Sequence, residues 1–328
     1  MDKGLKQWKI GLMGFGNVGK AFVRLYKEMG SYWREKYHID FIFQFVINSK
    51  IGVVQNDGIP VDSLIKAAKK GDLSKLWGWK PDMQGNEALK STSIDILVEV
   101  TPTNIEDGEP ALSTIKRALS QGIAVVTGNK GPFLHKHREL FELARKNNTF
   151  LGISCTSAAS LPTLIFGMFD LAGSRITKIE GILNGVCNFV LTQMEENSLS
   201  FEEAVGLAKT KGITEVDPNL DIDGIDTATK ILIISNMLLG TAFTTKNISV
   251  EGIRGITPEQ IRKAKSRKKR LKLIGYAEHS EDKVTAGVKV MEIEQGHAFY
   301  EVNGTNKALM YHTQPAGEFI ISGGASSP

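Results

Sequence analysis

The segment Gly14-Phe15-Gly16-Asn17-Val18-Gly19 constrains the fold of this chain more than any other feature. A run of strand character over residues 8–13 precedes it. A helix over 18–29 follows, with Ala21, Phe22, Leu25 and Met29 on one face. In that setting each glycine has a physical task. Gly14 permits the tight turn, Gly16 lets a pyrophosphate approach the backbone, and Gly19 allows close packing of helix on strand. The helix N-terminus adds free N–H groups and a partial positive charge. A dinucleotide site lined by Gly14, Phe15, Gly16, Asn17, Val18 and Gly19 is therefore expected. The bare glycine spacing would be a weak signal without the strand before it and the helix after it.

The alternation continues, with strands expected over 41–47, 94–100, 123–126 and 149–153. Helices are expected over 61–70, 111–121 and 135–147, with Gly122 ending the second of these. Such alternation implies a parallel sheet with right-handed crossovers. Residues 1–153 are thus expected to form an α/β, Rossmann-type nucleotide-binding domain. After Pro162 the rhythm changes. Residues 176–183 alternate like a half-exposed strand, and 201–211 form a helix opened by a Ser200/Glu203 capping box. Residues 225–239 form a long apolar helix, and 284–294 and 298–302 read as antiparallel strands. This second part, 154–304, reads as an α+β domain. A length of 328 residues suits two domains, since single cores rarely exceed about 250–300 residues.

No apolar run reaches the roughly 18–20 residues that cross a bilayer, and no signal peptide is visible, so no membrane partner is expected. Two cysteines, Cys155 and Cys187, exclude a disulfide scaffold and point to a reducing, cytoplasmic setting. The net charge is +4, but Arg262, Lys263, Lys265, Arg267, Lys268, Lys269, Arg270 and Lys272 supply eight bases with no acid between them. Removing those eight from the 40 Lys and Arg leaves 32 against 36 acids, so the rest of the chain is mildly acidic. Without interleaved aromatics or a nucleic-acid motif, the run reads as a solvated basic helix rather than a nucleic-acid surface.

Three further segments carry chemistry. An NAD site usually places an acid at the C-terminal end of the second strand. Here that end reads Asn48-Ser49-Lys50, and Asp40 lies at the opposite end. Lys50 suits a 2′-phosphate, which favours NADP over NAD. Lys130, in Thr127-Gly128-Asn129-Lys130-Gly131-Pro132, follows a parallel strand and should face the crevice beyond the strand ends. Thr101 ends the preceding strand in the same way and suits the nicotinamide. Finally, residues 212–230 hold five acids, Glu215, Asp217, Asp221, Asp223 and Asp226, just before an apolar helix. The spacing is not that of a calcium loop. Asp226 and Lys230, four apart, share a helical face. Because desolvating charges is costly, such a pair on a largely buried helix suggests a polar substrate pocket.

Together these segments resemble homoserine dehydrogenase, in its short form without a regulatory domain, over nearly the whole chain. The resemblance rests on 14–19, on Gly128-Asn129-Lys130-Gly131-Pro132, on Gly181-Ile182-Leu183-Asn184-Gly185-Val186-Cys187-Asn188, and on Glu215-Val216-Asp217-Pro218 through Asp221, Gly224, Asp226 and Lys230. It implies a catalytic and dimerisation domain after the first, a homodimer, and NAD(P)-linked interconversion of L-aspartate 4-semialdehyde and L-homoserine towards threonine and methionine. It implies a polar pocket of Lys130, Glu215, Asp221, Asp226 and Lys230, with Lys230 or Lys130 moving the proton and Asp226 orienting. Glu215 would meet the substrate ammonium, and Asn184 and Gly185 would hold substrate. It also implies a sodium ion on the backbone carbonyls of Ser157, Ala159 and Leu161. A C-terminal glycine turn, with Gly324 near the cofactor, would let residues 305–328 complete the first domain, with a helix starting near Ser327. Departures from the family pattern are Val186 for a threonine, Ile213 for an aromatic residue and Ser154 for an acid. A rival, aspartate-semialdehyde dehydrogenase, would use Cys155 as nucleophile, but no neighbouring residue obviously activates it.

Overall fold

The computed structural model describes residues 4–214, 217–280 and 283–323. The chain divides into two compact units between Ile153 and Ser154. No helix among the described residues is long and apolar enough to cross a membrane.

The first unit is built on seven strands: β1 (Lys6–Met13), β2 (Ile39–Ile47), β3 (Ile51–Val54), β4 (Trp79–Pro81), β5 (Ile96–Glu99), β6 (Ala124–Thr127) and β7 (Leu151–Gly152). Their order is β4-β3-β2-β1-β5-β6-β7. The pairs β1/β2, β1/β5, β5/β6 and β6/β7 are parallel, as the alternation implies. Ile10, Leu12, Phe43, Val46, Leu97 and Val125 are buried because helices cover both faces of a parallel sheet. The strand order reverses between β1 and β5, and a ligand crevice lies beyond the carboxyl ends at such a point. Met13, Ile47, Glu99 and Thr127 end there. β3 and β4 extend the sheet as antiparallel strands that the apolar periodicity does not announce. They are short, and β4 is exposed along its length.

The second unit carries a six-stranded sheet of β8 (Arg175–Ile182), β9 (Ile248–Val250), β10 (Lys269–Ser280), β11 (Lys283–Glu294), β12 (Lys307–Gln314) and β13 (Gly317–Gly323), in the order β13-β12-β8-β10-β11-β9. The helix Ile225–Leu238 lies close on β10 because Gly275 has no side chain. A Cβ there would fall 3.0 Å from Thr227 Cγ2 and 3.4 Å from Ile231 Cβ.

Three expectations are corrected. Residues 305–323 do not complete the first domain: β12 pairs antiparallel with β8 and β13 with β12. Gly181 allows this approach, since a Cβ there would lie 2.6 Å from the Ala308 carbonyl oxygen. Gly324 and Ser327 lie outside the described residues. Residues 298–302 form turns rather than a strand, and Phe299 is buried in the core with Ile182 and Ile274. The basic run is not one helix. Helix Pro258–Ser266 ends, Lys268 takes a left-handed φ of 58°, and Lys269 starts β10. Acids on neighbouring elements then pair with it. Arg267 meets Glu292, Lys269 meets Glu294 at 2.8 Å, and Arg270 meets Glu195 at 3.1 Å and Glu301 at 3.3 Å.

Lys272 is only 2 % exposed. Its ammonium donates to Asn188 Oδ1 at 2.9 Å, the Val302 carbonyl at 2.6 Å and Asn303 Oδ1 at 2.9 Å. Burial, with repulsion from Arg270, pushes it from 10.5 down to about 8. Between those values the unfolded chain binds the extra proton, so stability rises with pH. The contribution is about 3 kcal/mol. Urea unfolding at pH 7.5 and pH 10 should therefore show wild type gaining on Lys272→Met by that order. Parallel pH dependence in the two proteins would refute the assignment.

Candidate active site

The residues singled out by sequence fall into two groups, one on each unit. In the first unit the glycine turn has the shape its spacing implies. Gly14 has a φ of 103°, and a Cβ there would sit 2.5 Å from the Val100 carbonyl. A Cβ at Gly19 would lie 2.0 Å from the Gly14 oxygen, so helix Asn17–Tyr37 starts hard against the strand end. At Gly16 a Cβ would meet nothing within 4 Å. The space over the helix N-terminus is therefore open where a pyrophosphate would approach. Phe15 is buried beneath the turn, while Asn17 and Val18 are exposed on it. This cradle fits a dinucleotide.

At the end of β2, Asn48 Oδ1 accepts the amides of Lys50 at 2.8 Å and Ile51 at 2.7 Å. That turn carries Ser49 and Lys50 exposed at the carboxyl edge of the sheet. Asp40 is the second residue of β2, where it accepts from the Tyr26 hydroxyl and from Arg34 at 3.0 Å. It is occupied far from any ribose.

Thr101 and Lys130 sit on the segments that follow β5 and β6. Sequence reasoning missed the residue between them, Glu99, whose signal is a lone acid inside an apolar strand. Its exposure is 0 %. Glu99 Oε1 accepts the Thr101 amide at 2.9 Å and the Thr101 hydroxyl, and Oε2 accepts the Thr127 hydroxyl at 2.7 Å. Burial raises its carboxyl above the ordinary range, and these hydrogen bonds oppose the rise. Lys130 is half-buried and immediately precedes helix Gly131–Lys146.

In the second unit the structure brings four expected residues together. Asn184 caps helix Gly185–Glu196, its Oδ1 accepting the Cys187 amide at 2.9 Å. Its Nδ2 donates to Asp221 Oδ1 at 2.6 Å and Asp226 Oδ2 at 2.8 Å. Lys230 Nζ lies 2.6 Å from the same Asp226 oxygen and donates to the Leu183 carbonyl at 2.8 Å. The Asp226 and Lys230 side chains are 16 % and 12 % exposed, so the pair is largely dehydrated but reachable. An ammonium has three donors, and among the described residues two of these are engaged. Gly185 packs under this turn, where a Cβ would lie 2.8 Å from the Thr305 carbonyl oxygen. Glu215 lies outside the described residues. Asp223 turns away to Arg254 at 2.7 Å, and Asp217 accepts the Asn219 amide at 3.0 Å.

The segment named for sodium forms a tight turn in which Ala159 has a φ of 57°. The Leu161 carbonyl accepts the Thr163 amide at 2.8 Å, so one of the three oxygens is already engaged within its own turn. Neither thiol is poised for nucleophilic work. Cys187 is buried, its thiol donates to the Asp221 carbonyl at 3.0 Å, and burial with the nearby Asp221 and Asp226 charges raises it well above 9.0. Cys155 keeps surface area, but burial of its sulfur raises it too.

A family model for homoserine dehydrogenase matches residues 162–328, and one for the homoserine dehydrogenase NAD binding domain matches 14–151. The chain is 33% identical over 320 residues to homoserine dehydrogenase of Methanocaldococcus jannaschii, covering 97% of this chain and 93% of that one. It is 35% identical over 322 residues to the NAD(+)-dependent homoserine dehydrogenase of Pseudomonas canavaninivorans, covering 97% and 91%. Among solved structures, the homoserine dehydrogenase of Thiobacillus denitrificans superposes with a TM-score of 0.84 at 25% identity, over 99% of this chain and 70% of that one. A mutant hyperthermophilic archaeal homoserine dehydrogenase in complex with NADPH gives 0.82 at 26% identity, over 97% and 92%.

Asn184 thus separates two carboxylates and caps a helix at once. Replacing it with Ala should cost about 2 kcal/mol, from the lost cap and the lost buried hydrogen bonds. Urea unfolding of Asn184→Ala at pH 7 measures this, and a loss under about 0.5 kcal/mol would contradict the reading.

Proposed function

Because the chain belongs to the homoserine dehydrogenase family, NAD(P)-dependent oxidoreductases acting on a CH–OH group, we propose that it interconverts L-aspartate 4-semialdehyde and L-homoserine, with NADPH as the preferred cofactor. The observation that carries this reading is the cluster of Asn184, Asp221, Asp226 and Lys230, charged and polar groups gathered at the start of the largely buried helix Ile225–Leu238.

Gly14 to Gly19 and the N-terminus of helix Asn17–Tyr37 would hold the pyrophosphate, and Thr101 would lie by the nicotinamide. Lys50, with no acid at the end of β2, would meet a 2′-phosphate through charge and hydrogen bonding. The bound nicotinamide supplies or accepts the hydride. The protein's part is the proton. In the reducing direction Lys230 gives a proton from Nζ to the substrate oxygen as negative charge develops on it, and in the oxidising direction it takes that proton back. Asp226 fixes Nζ, and Asn184 fixes Asp226, so the donor is held before substrate arrives. Lys130 is the second candidate for the same work. Asp221 and Glu215 would meet the substrate ammonium. With Val186 and Ile213 in place of polar or aromatic family residues, recognition rests on this acidic set. The resemblance also implies a homodimer and a place in threonine and methionine synthesis.

The test is a coupled assay following NADPH and NADH oxidation with aspartate semialdehyde. Wild type should turn over, and Lys230→Ala should lose about 100-fold or more in kcat. Lys50→Glu should raise KM for NADPH about tenfold and leave that for NADH nearly unchanged. No turnover with either cofactor would refute the reaction. Unchanged kcat in Lys230→Ala would remove that lysine from the mechanism, and unchanged KM in Lys50→Glu would remove the NADPH preference.

A further inference from the structure

Glu99 has no part in the chemistry above, yet it is the most completely buried acid beside the nucleotide cradle. Withdrawing a carboxylate from water is costly unless its oxygens are hydrogen-bonded. Here the bonds come from neutral donors on two different segments. Oε1 takes the amide and hydroxyl of Thr101, after β5, and Oε2 takes the hydroxyl of Thr127, at the end of β6. The Thr127 oxygen accepts the Asn129 amide at 2.9 Å. The Asn129 carboxamide returns to Thr101, its Nδ2 lying 3.2 Å from Oγ1 and 3.4 Å from the carbonyl, and to the Pro102 carbonyl at 3.3 Å. Its oxygen accepts the Gly131 amide at 3.0 Å. The ring Glu99–Thr127–Asn129–Thr101 is closed, and Lys130 directly follows its member Asn129 in the chain, spanned by the bond from the Gly131 amide back to the Asn129 side chain.

The acidic group follows from this geometry. An ionised carboxylate accepts on both oxygens, whereas a glutamine would turn an NH2 group towards one of the two segments. We propose that Glu99 is a positioning residue: its carboxylate ties the Thr101 and Lys130 segments into one rigid edge that holds the nicotinamide end of the cofactor and Lys130. The inference rests on the reading that assigns Thr101 and Lys130 to the cofactor site.

Two measurements on the substrate-free protein test it. In Glu99→Gln, hydrogen exchange of the Thr101 and Asn129 amides should quicken about tenfold while the rest of the sheet keeps its rates. NADPH affinity, read from its fluorescence on binding, should fall about tenfold. Thr127→Val breaks the ring while leaving Glu99 in place, and should do the same in a protein whose fold is less at risk. Thr127→Ser, which restores the hydroxyl, should return the exchange rates to wild type. If either readout stays within twofold of wild type in Glu99→Gln and Thr127→Val, the proposal is overturned. If thermal stability falls while both readouts stay put, Glu99 serves stability alone and the proposal is likewise overturned. Neither measurement needs aspartate semialdehyde, so failure of the reaction in the coupled assay and failure of this inference are separate results.

Discussion

The bond between the Asn184 amide and two carboxylates is the contact on which the polar centre of the second unit depends. Asp221 and Asp226 would repel each other in a half-buried site. One NH2 group offers each a hydrogen atom, and Lys230 supplies a positive charge to the second. The same side chain closes the first turn of helix Gly185–Glu196 through its oxygen. Helix start, carboxylate pair and lysine therefore stand or fall together. That coupling explains how an apolar helix such as Ile225–Leu238 tolerates Asp226 and Lys230 in its first two turns.

Glu99 repeats the device with a different chemistry. Among the described residues its hydrogen-bond partners are hydroxyl and amide donors rather than a cation. In a low-dielectric site such bonds are strong and directional, and an unsatisfied member would be costly, so the network has one good arrangement. Both units thus place a lysine of the proposed site next to a hydrogen-bonded group tied to a backbone amide: Lys130 follows Asn129, which accepts the Gly131 amide, and Lys230 meets Asp226, which Asn184 links to the Cys187 amide. Lys230 is held directly, through its side chain. Lys130 is placed by its neighbours Asn129 and Gly131.

The sequence was most legible where local chemistry decides structure. Gly14, Gly16 and Gly19 each meet a distinct backbone demand, so their spacing announced the turn, and the apolar strands of 41–47, 94–100 and 123–126 announced a parallel sheet. Asp226 and Lys230, four apart, announced a shared face. What the sequence hid depends on pairing between distant segments. The strands 307–314 and 317–323 could close either unit by their own pattern. The antiparallel pairing of 308–314 with 175–182, which the missing side chain at Gly181 permits, decides for the second sheet. Likewise the basic run reads as a single helix until Lys268 adopts its left-handed turn and β10 pairs with β11. Lys272 then points inward, where no composition argument would place it. The acids that neutralise Arg267, Lys269 and Arg270 come from residues 195, 292, 294 and 301, none of them within the run itself.

Cofactor choice shows the same division at one turn. The absence of an acid at Asn48-Ser49-Lys50 is a sequence fact, and so is the lysine. Whether Lys50 can serve depends on where the chain goes next. An ordinary crossover would lead away into a helix. Here Asn48 Oδ1 gathers two successive amides and reverses the chain into β3, which pairs antiparallel with β2 at Phe45, Val46 and Ile47. The reversal leaves Lys50 at the tip of a hairpin, standing on the carboxyl edge of the sheet where a ribose would lie. The four-residue antiparallel strand Ile51–Val54 is thus the element that sets the Lys50 charge at this edge. Asp40, at the proper sequence distance but at the wrong end of β2, is spent on Tyr26 and Arg34.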